Sequence, residues 1–211
     1  AIEIAIAKRP DGTPMVPEVC ILFQDRLLRG NRTTKVNAEN FNAFKSHNYP
    51  NLADIGVHIN YYTRRILPPH TEQSLKPHFL YDTNVIVLTL FPGIQERIVT
   101  EVLKMEGLKA VVLETFGEGN IPSNNRTLVS SIRRASENGA IVSVCSQCYR
   151  GTTKLGTYAT SNALKESGAV GCNDMTTEAA VTKLYYLFSC GYPKETIKKL
   201  MTTNLRGEIS V

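Results

Sequence analysis

The run VCILF at residues 19–23 and the polar stretch RGNRTTKVNAENFNAF at residues 29–44 carry the strongest fold signal in this sequence. A short apolar run of this kind predicts a buried strand. In a parallel α/β sheet, ligand-binding residues follow the carboxyl ends of the strands. The polar stretch holds Arg29, Arg32 and Lys35 among threonines and asparagines, more hydrogen-bonding groups than a surface turn needs. We therefore predict that it lines a functional site.

A second polar segment follows another strand candidate. The run VVLETF at residues 111–116 leads directly into Gly117-Glu118-Gly119-Asn120. The two segments together predict one wall of an active site at the edge of a sheet. The Gly-x-Gly spacing is too short for a dinucleotide fingerprint and lacks the third glycine, so a tight turn explains it and no cofactor is expected.

Size and composition restrict the class of protein. With 211 residues and 42% hydrophobic content, the chain is long enough for one large or two small domains with a buried core. The net charge is +5, but the basic residues are scattered, so we expect no nucleic-acid partner. The sequence contains no run of about 18 apolar residues, so no membrane span is predicted. Five cysteines, an odd number, favour free thiols in a reducing compartment, and we predict a cytoplasmic location.

Strand-like runs alternate with helical patterns, which predicts an α/β fold with a largely parallel sheet. Apolar residues Ile94, Ile98, Val102 and Met105 predict the inner face of a helix after Pro92-Gly93. Further strands are predicted at residues 57–62, 84–90, 110–116, 140–145 and 169–170, and further helices from Ser123 or Asn124 to about 135, at 158–166, at 177–190 and from 193 to about 203.

The domain organisation follows from the segment LPPHTE at residues 67–72, whose prolines interrupt any regular element. We predict a first part at residues 1–66, a linker at 67–78 and a small doubly wound domain at 79–211. Residues 1–7 have the pattern of the end of an amphipathic helix that has no cap before it. We therefore expect this chain to be the later part of a longer protein.

Metal chemistry is not predicted. Cys145-Ser146-Gln147-Cys148 has the spacing of a metal or dithiol motif, but a zinc site needs about four ligands and no second pair supplies them. Incidental thiols at a strand end explain this segment better. The four histidines show none of the pairings that zinc helices use; they are His47, His58, His70 and His78.

Lys35 has two interpretations that the sequence alone leaves open. A lysine at a strand end can hold charge beside a hydroxyl nucleophile, and its pKa falls when it is desolvated. A solvated lysine in a loop explains the same sequence equally well. The segment DMTTE at residues 174–178 favours a helix cap, with Asp174 or Thr176 as the capping residue.

Five separated segments resemble the type I, cytoplasmic bacterial L-asparaginases of the asparaginase/glutaminase family. They are the long segment at residues 16–56, LETFGEGNIPSN, SQC, GTYATSNALKESGAV and NDMTTEAAVTKLYYL, in the order that the family has them. The resemblance implies two α/β domains, hydrolysis of L-asparagine to L-aspartate and ammonia without metal or cofactor, and assembly as a homodimer or homotetramer.

The resemblance also implies roles for individual residues. Lys35 in RTTK matches the lysine of a catalytic Thr-Lys-Asp group, and Asn120 matches an asparagine that reaches the substrate. In related enzymes that asparagine comes from the neighbouring subunit, and Tyr158 lies roughly where they place another substrate-binding residue from the second subunit, although secreted members carry an acid there. Thr34 matches a threonine near which asparagine regulates some members. Bacterial members can carry an arginine at the position of Glu114, so this difference argues that such regulation is absent here.

Two motifs of the family have no counterpart in these residues: a T-G-G-T-type segment with the threonine nucleophile and a G-T-D-T-type segment with the aspartate. We expect both upstream of Ala1, so that residues 1–66 are the end of an N-terminal asparaginase domain. The chain alone is then predicted to be inactive. Two alternatives stay open: an asparaginase-like subunit of a tRNA-dependent amidotransferase, and a non-catalytic asparagine-binding module.

Overall fold

A computed structural model describes residues 1–69, 74–79, 84–121, 126–156 and 159–210. The chain forms two compact units. The first unit comprises Ala1–Pro77 and the segment Arg206–Glu208, and the second comprises His78–Leu205 and Ile209–Val211. The predicted division into residues 1–66, 67–78 and 79–211 stays a prediction. None of the described helices is both long and apolar enough to cross a membrane.

The first unit is built from short elements. They are helix α1 (Ile2–Ile6) and strands β1 (Cys20–Phe23), β2 (Arg26–Arg29), β3 (Thr34–Lys35), β4 (Phe44–Lys45), β5 (Ala53–Ile55) and β6 (Ile59–Tyr61). Four of the strands form a sheet in the order β1-β2-β5-β6, and β3 and β4 form a separate hairpin. Every pairing is antiparallel. Ile4, Leu27, Leu52, Ala53 and Ile66 form the core of this unit.

The antiparallel sheet contradicts the prediction for residues 19–23. Strand β1 turns back at once into β2, with Phe23 opposite Arg26 and Gln24 at a φ of 54°. A two-residue loop with positive φ joins adjacent antiparallel strands, whereas parallel strands need a crossover of a dozen or more residues. The polar stretch therefore begins in the second strand of a hairpin. Its position is not that of a ligand loop in a parallel sheet.

The second unit confirms the α/β class. Its strands are β7 (Val85–Thr89), β8 (Ala110–Thr115), β9 (Ile141–Ser146) and β10 (Val170–Gly171), and its helices are α2 (Glu96–Leu103), α3 (Arg126–Glu137), α4 (Ala159–Glu166), α5 (Thr177–Ser189) and α6 (Lys194–Met201). The strands pair in parallel in the order β10-β9-β8-β7.

Alternation along the central strand explains why helices cover both faces of this sheet. On β8, Val111 and Leu113 pack in one cluster with residues of α2, α3 and α4. Their neighbours Ala110 and Val112 pack in a second cluster with residues of α5 and α6. Successive side chains of a strand point to opposite faces, so a strand buried on both sides has a continuous apolar sequence.

Most predicted helices of the second unit are confirmed, and α5 shows why. Its N-terminal cap is Thr176, whose hydroxyl oxygen accepts a hydrogen bond from the Ala179 amide at 3.1 Å. Asp174, the other predicted cap, instead accepts from the Ser210 amide at 2.9 Å. The predicted cap of α3, at Ser123 or Asn124, lies outside the described residues.

The predicted inner face of the helix after Pro92-Gly93 is wrong for two of its four residues: Ile94 packs against the core and Val102 is half-buried, but the other two are exposed. Ile98 and Met105 are 50% and 52% exposed, and Val99 and Leu103 are the buried residues of this helix. Gly93 has a φ of 88° and the helix begins only at Glu96. Each residue turns an α-helix by about 100°, so a buried face that includes Val99 and Leu103 is rotated by one residue from a face through Ile98 and Val102.

Replacing Ile132 of α3 by alanine tests this assignment of the core, with Ile98→Ala as the matched control. Ile132 is completely buried. We expect Ile132→Ala to lower the free energy of unfolding by about 2–5 kcal/mol, because the cavity left behind loses its packing contacts. Ile98→Ala should change it by less than about 0.5 kcal/mol. Urea unfolding followed by circular dichroism measures both, and equal losses would contradict the assignment.

Candidate active site

Lys35 lies on the small hairpin of the first unit. It pairs with Phe44, Thr34 pairs with Lys45, and the Val36 amide donates to the Ala43 carbonyl at 2.7 Å. Because successive side chains of a strand alternate, Thr34 and Lys35 point to opposite faces of the hairpin. The Lys35 side chain is exposed and makes no ion pair with the described residues. The hairpin thus presents an ammonium group on one face and the Thr34 hydroxyl on the other.

Asn120 closes a tight turn at the carboxyl end of β8. Phe116 and Asn120 form an isolated antiparallel bridge, in which the Asn120 amide donates to the Phe116 carbonyl at 2.8 Å. Gly119 has a φ of 106°, and a side chain there would come within 3.0 Å of Leu155. Glycine is therefore required at this position. The turn is a fixed platform for Asn120, which is half-buried.

Ser146 connects this turn to the next loop, a role that no pattern in the sequence indicated. Its hydroxyl donates to the Gly117 carbonyl at 2.6 Å and accepts from the Cys148 amide at 3.0 Å. The two loops that follow β8 and β9 are therefore joined by one side chain. The carboxyl edge of the parallel sheet is where ligands bind in open α/β folds.

Glu114 forms a second connection at the same edge. Thr89 donates to one of its carboxylate oxygens at 2.5 Å and Thr177 donates to the other at 2.6 Å. Gln147 donates to the Glu114 carbonyl at 3.0 Å and to the Leu90 carbonyl at 2.5 Å. This carboxylate is held by groups from β7 and α5, and neither of those partners is adjacent to it in sequence.

Arg29 does not serve as a ligand-binding residue, contrary to the prediction for its stretch. It is 3% exposed and forms an ion pair with the Glu18 carboxylate, with one hydrogen bond of 3.0 Å. It also donates to the Arg65 carbonyl at 2.8 Å and lies 4.3 Å above the Tyr49 ring. Burial acts to lower the pKa of Arg29, but its interactions with Glu18 and Tyr49 together outweigh burial and raise it. Its donors are used inside the protein.

Of the predicted site residues, Thr34 and Lys35 are neighbours on one strand of the first unit. Asn120 belongs to the second unit. Tyr158 lies outside the described residues. In the described part of the chain, no group of three or more His, Cys, Asp or Glu side chains could hold a metal ion.

The two cysteines of the Cys145-Ser146-Gln147-Cys148 segment lie in different environments. Cys145 is buried in the core, where a hydrogen bond with Cys172, and then burial, raise its pKa well above the ordinary value. Cys148 is exposed. Burial and the charge of Glu18 raise the pKa of Cys20 to about 12. The interpretation as incidental thiols fits this arrangement.

We expect iodoacetamide at pH 8 to alkylate Cys148 in the folded protein and to leave Cys145 and Cys172 unmodified. Only the thiolate is nucleophilic, so the Cys145 thiol, whose pKa is raised, stays protonated at this pH, and Cys172 is completely buried and out of reach of the reagent. Peptide mass spectrometry after labelling measures the reaction. Labelling in denaturant provides the control, because all five cysteines should then react. Fast alkylation of Cys145 in the native protein would contradict the buried assignment.

Two family models match the chain. The model of the asparaginase N-terminal domain matches residues 1–67, and that of the glutaminase/asparaginase C-terminal domain matches residues 84–201. The chain belongs to the asparaginase family.

Individual relatives agree with the family assignment. L-asparaginase 1 of Escherichia coli K12 is 42% identical over 92% of this chain and 57% of its own length. The 60 kDa lysophospholipase of Mus musculus is 39% identical over 95% of this chain and 35% of its own length. The crystal structure of L-asparaginase I from Vibrio cholerae superimposes with a TM-score of 0.86 at 37% identity, over 93% of this chain and 58% of that one.

A relative of the amidotransferase class is more distant. This protein, a component of the glutamyl-tRNA(Gln) amidotransferase of Pyrococcus abyssi, is 30% identical over 86% of this chain and 41% of its own length. The chain spans a little more than half the length of the asparaginase relatives it matches.

Proposed function

We propose that this chain is part of an L-asparaginase, which hydrolyses L-asparagine to L-aspartate and ammonia. The observation that carries the proposal is that two asparaginase-family models match successive parts of the chain, residues 1–67 and 84–201. The 42% identity to a protein named L-asparaginase 1 supports the same substrate. The match to an amidotransferase component is weaker, at 30% identity.

The proposed reaction passes through a threonine ester. A threonine hydroxyl attacks the carbon of the side-chain amide, the C–N bond breaks, and the amide nitrogen leaves as ammonia after it takes up a proton. Water then hydrolyses the aspartyl ester and restores the threonine. The nucleophile and its aspartate partner belong to the two threonine motifs that have no counterpart in these 211 residues.

Lys35 is the proposed catalytic contribution of the first unit. A positive ammonium group next to the threonine stabilises the alkoxide character that develops as the hydroxyl loses its proton. The exposed position of Lys35 on the hairpin leaves its Nζ accessible to groups from outside the described residues. A lysine carries this charge on a flexible stem, so the backbone that bears it must be held in place.

The remaining roles complete the proposal. Asn120 binds the substrate from the turn that Gly119 and Ser146 fix, and Tyr158 is a second substrate-binding residue. Thr34, on the opposite face of the hairpin from Lys35, is a candidate regulatory residue.

We propose a homodimer or homotetramer without cofactor. A cytoplasmic location is supported by five free cysteines, which fit a reducing compartment.

Ammonia release from L-asparagine tests the proposed function. We expect none from the 211-residue polypeptide alone, because the threonine nucleophile is absent from it. A longer polypeptide in which a segment with both threonine motifs precedes this chain should release ammonia without any tRNA. Coupled spectrophotometric detection of ammonia measures both. Turnover by the short chain, or a requirement for tRNA in the long one, would contradict the proposal.

In the active enzyme, Lys35→Met tests the role of the lysine, with Lys45→Met as the control. Lys45 lies on the paired strand of the same hairpin and is also exposed. Loss of the charge at Lys35 should lower kcat by about 100-fold or more, because the group then no longer assists proton removal. Lys45→Met should leave kcat within about twofold. A similar kcat for the two variants would remove Lys35 from the mechanism.

A further inference from the structure

We propose that Arg32, together with Arg29 and Gly207, positions the hairpin that carries Lys35, and that the segment Arg206–Glu208 is therefore a functional part of the first unit. This inference rests on the proposed role of Lys35 as a catalytic group. It assigns a task to the two buried arginines of the polar stretch and to a segment about 175 residues later in the chain.

Arg32 is the most buried charged residue of this region, at 1% exposure. Its guanidinium donates to the Glu208 carbonyl at 2.5 Å and to the Asn48 carbonyl at 3.1 Å, and it lies 5.4 Å from the centre of the Tyr49 ring. A buried charge is unfavourable unless hydrogen bonds compensate it. The rigid, planar fork of arginine donates to separate acceptors in fixed directions, which the single ammonium of lysine does not do.

These contacts lie at the base of the Lys35 hairpin. Arg32 ends a 3-10 turn at Gly30–Arg32, and β3 begins two residues later. Thr33, between them, donates its hydroxyl to the Arg29 carbonyl at 2.7 Å. Asn48 follows β4 by three residues. One guanidinium therefore joins the entry to the hairpin, the exit from it and the segment Arg206–Glu208.

The partner segment is shaped to admit the other arginine. Gly207 has a φ of 80°, and its carbonyl accepts from Arg29 at 3.3 Å. A Cβ atom at this position would lie 2.5 Å from Nη1 and 2.7 Å from Cζ of Arg29. Asn31 donates to the Arg206 carbonyl at 2.9 Å, and the Glu208 carboxylate accepts from the Arg206 amide at 2.6 Å. Residues of the polar stretch thus hold successive residues of this segment.

The consequence for catalysis is geometric. Lys35 is exposed and its stem is flexible. Any movement of β3 therefore adds to the movement of the stem and displaces Nζ further from its partners. A displacement of about 1 Å in a catalytic group lowers a rate by as much as about 100-fold. Loss of the Arg32 contacts should release the hairpin without removing a group that touches the substrate. It should therefore lower kcat and leave KM for asparagine nearly unchanged.

The test compares Arg32→Lys and Gly207→Ala with two matched controls in the active enzyme. Gly12→Ala has a similar φ, 83°, in the same unit, but nothing lies within 4 Å of the added Cβ. Arg26→Lys changes an arginine whose side chain is 57% exposed. We expect a roughly 10- to 100-fold lower kcat in both test variants, with KM within about twofold. Both controls should retain the parent kcat.

Peptide-level hydrogen exchange provides a readout that does not depend on activity. Arg32→Lys should speed exchange at residues 33–36 and 43–46, while the amides of the β5–β6 pair keep their protection. If the parent enzyme releases no ammonia, the proposed function fails and the exchange pattern alone decides the positioning role. Unchanged exchange at the hairpin, faster exchange throughout the first unit, or a parent-like kcat in both test variants would overturn the inference.

Discussion

The ion pair between Arg29 and Glu18, whose side chains are both 4% exposed, is the constraint around which the first unit is organised. A buried guanidinium needs acceptors for its donors, and removal of one partner of a buried pair typically costs about 3–5 kcal/mol. Arg29 also binds the carbonyls of Arg65 and Gly207. The small apolar core of this unit is thus supplemented by polar contacts that connect segments far apart in sequence.

The second unit depends on a different principle. Its parallel sheet is buried on both faces by alternate residues of the same strands, and polar contacts concentrate at the carboxyl edge. There, Ser146 joins the loops after β8 and β9, and Glu114 joins β7 to α5 through two threonines. The polar side chains at this edge thus connect the loops and elements that surround it.

The second unit was predicted well from its sequence and the first unit poorly, for physical reasons. From Val85 onward the strands are continuous apolar runs and the helices repeat apolar residues with the helical period, and Thr176 is a recognisable cap. In the first unit, the strands have only two to four residues, too few for a period to be identified. Residues 20–23 were expected to pair in a parallel sheet, but a two-residue turn that contains Gln24 joins them to β2 as an antiparallel hairpin. The partners of Arg29 and Arg32, such as Gly207 and Glu208, are remote in sequence, so no local pattern reveals them.

The chain belongs to the asparaginase family, whose reaction we propose for it. In this proposal, the first unit holds the Lys35 ammonium beside a threonine hydroxyl. A crystal structure of the active enzyme with L-aspartate bound is the most direct test. We predict Nζ of Lys35 within about 2.7–3.2 Å of a threonine or aspartate oxygen that borders the ligand. An Nζ directed into bulk solvent, with no atom of the ligand or its pocket within reach, would contradict the account.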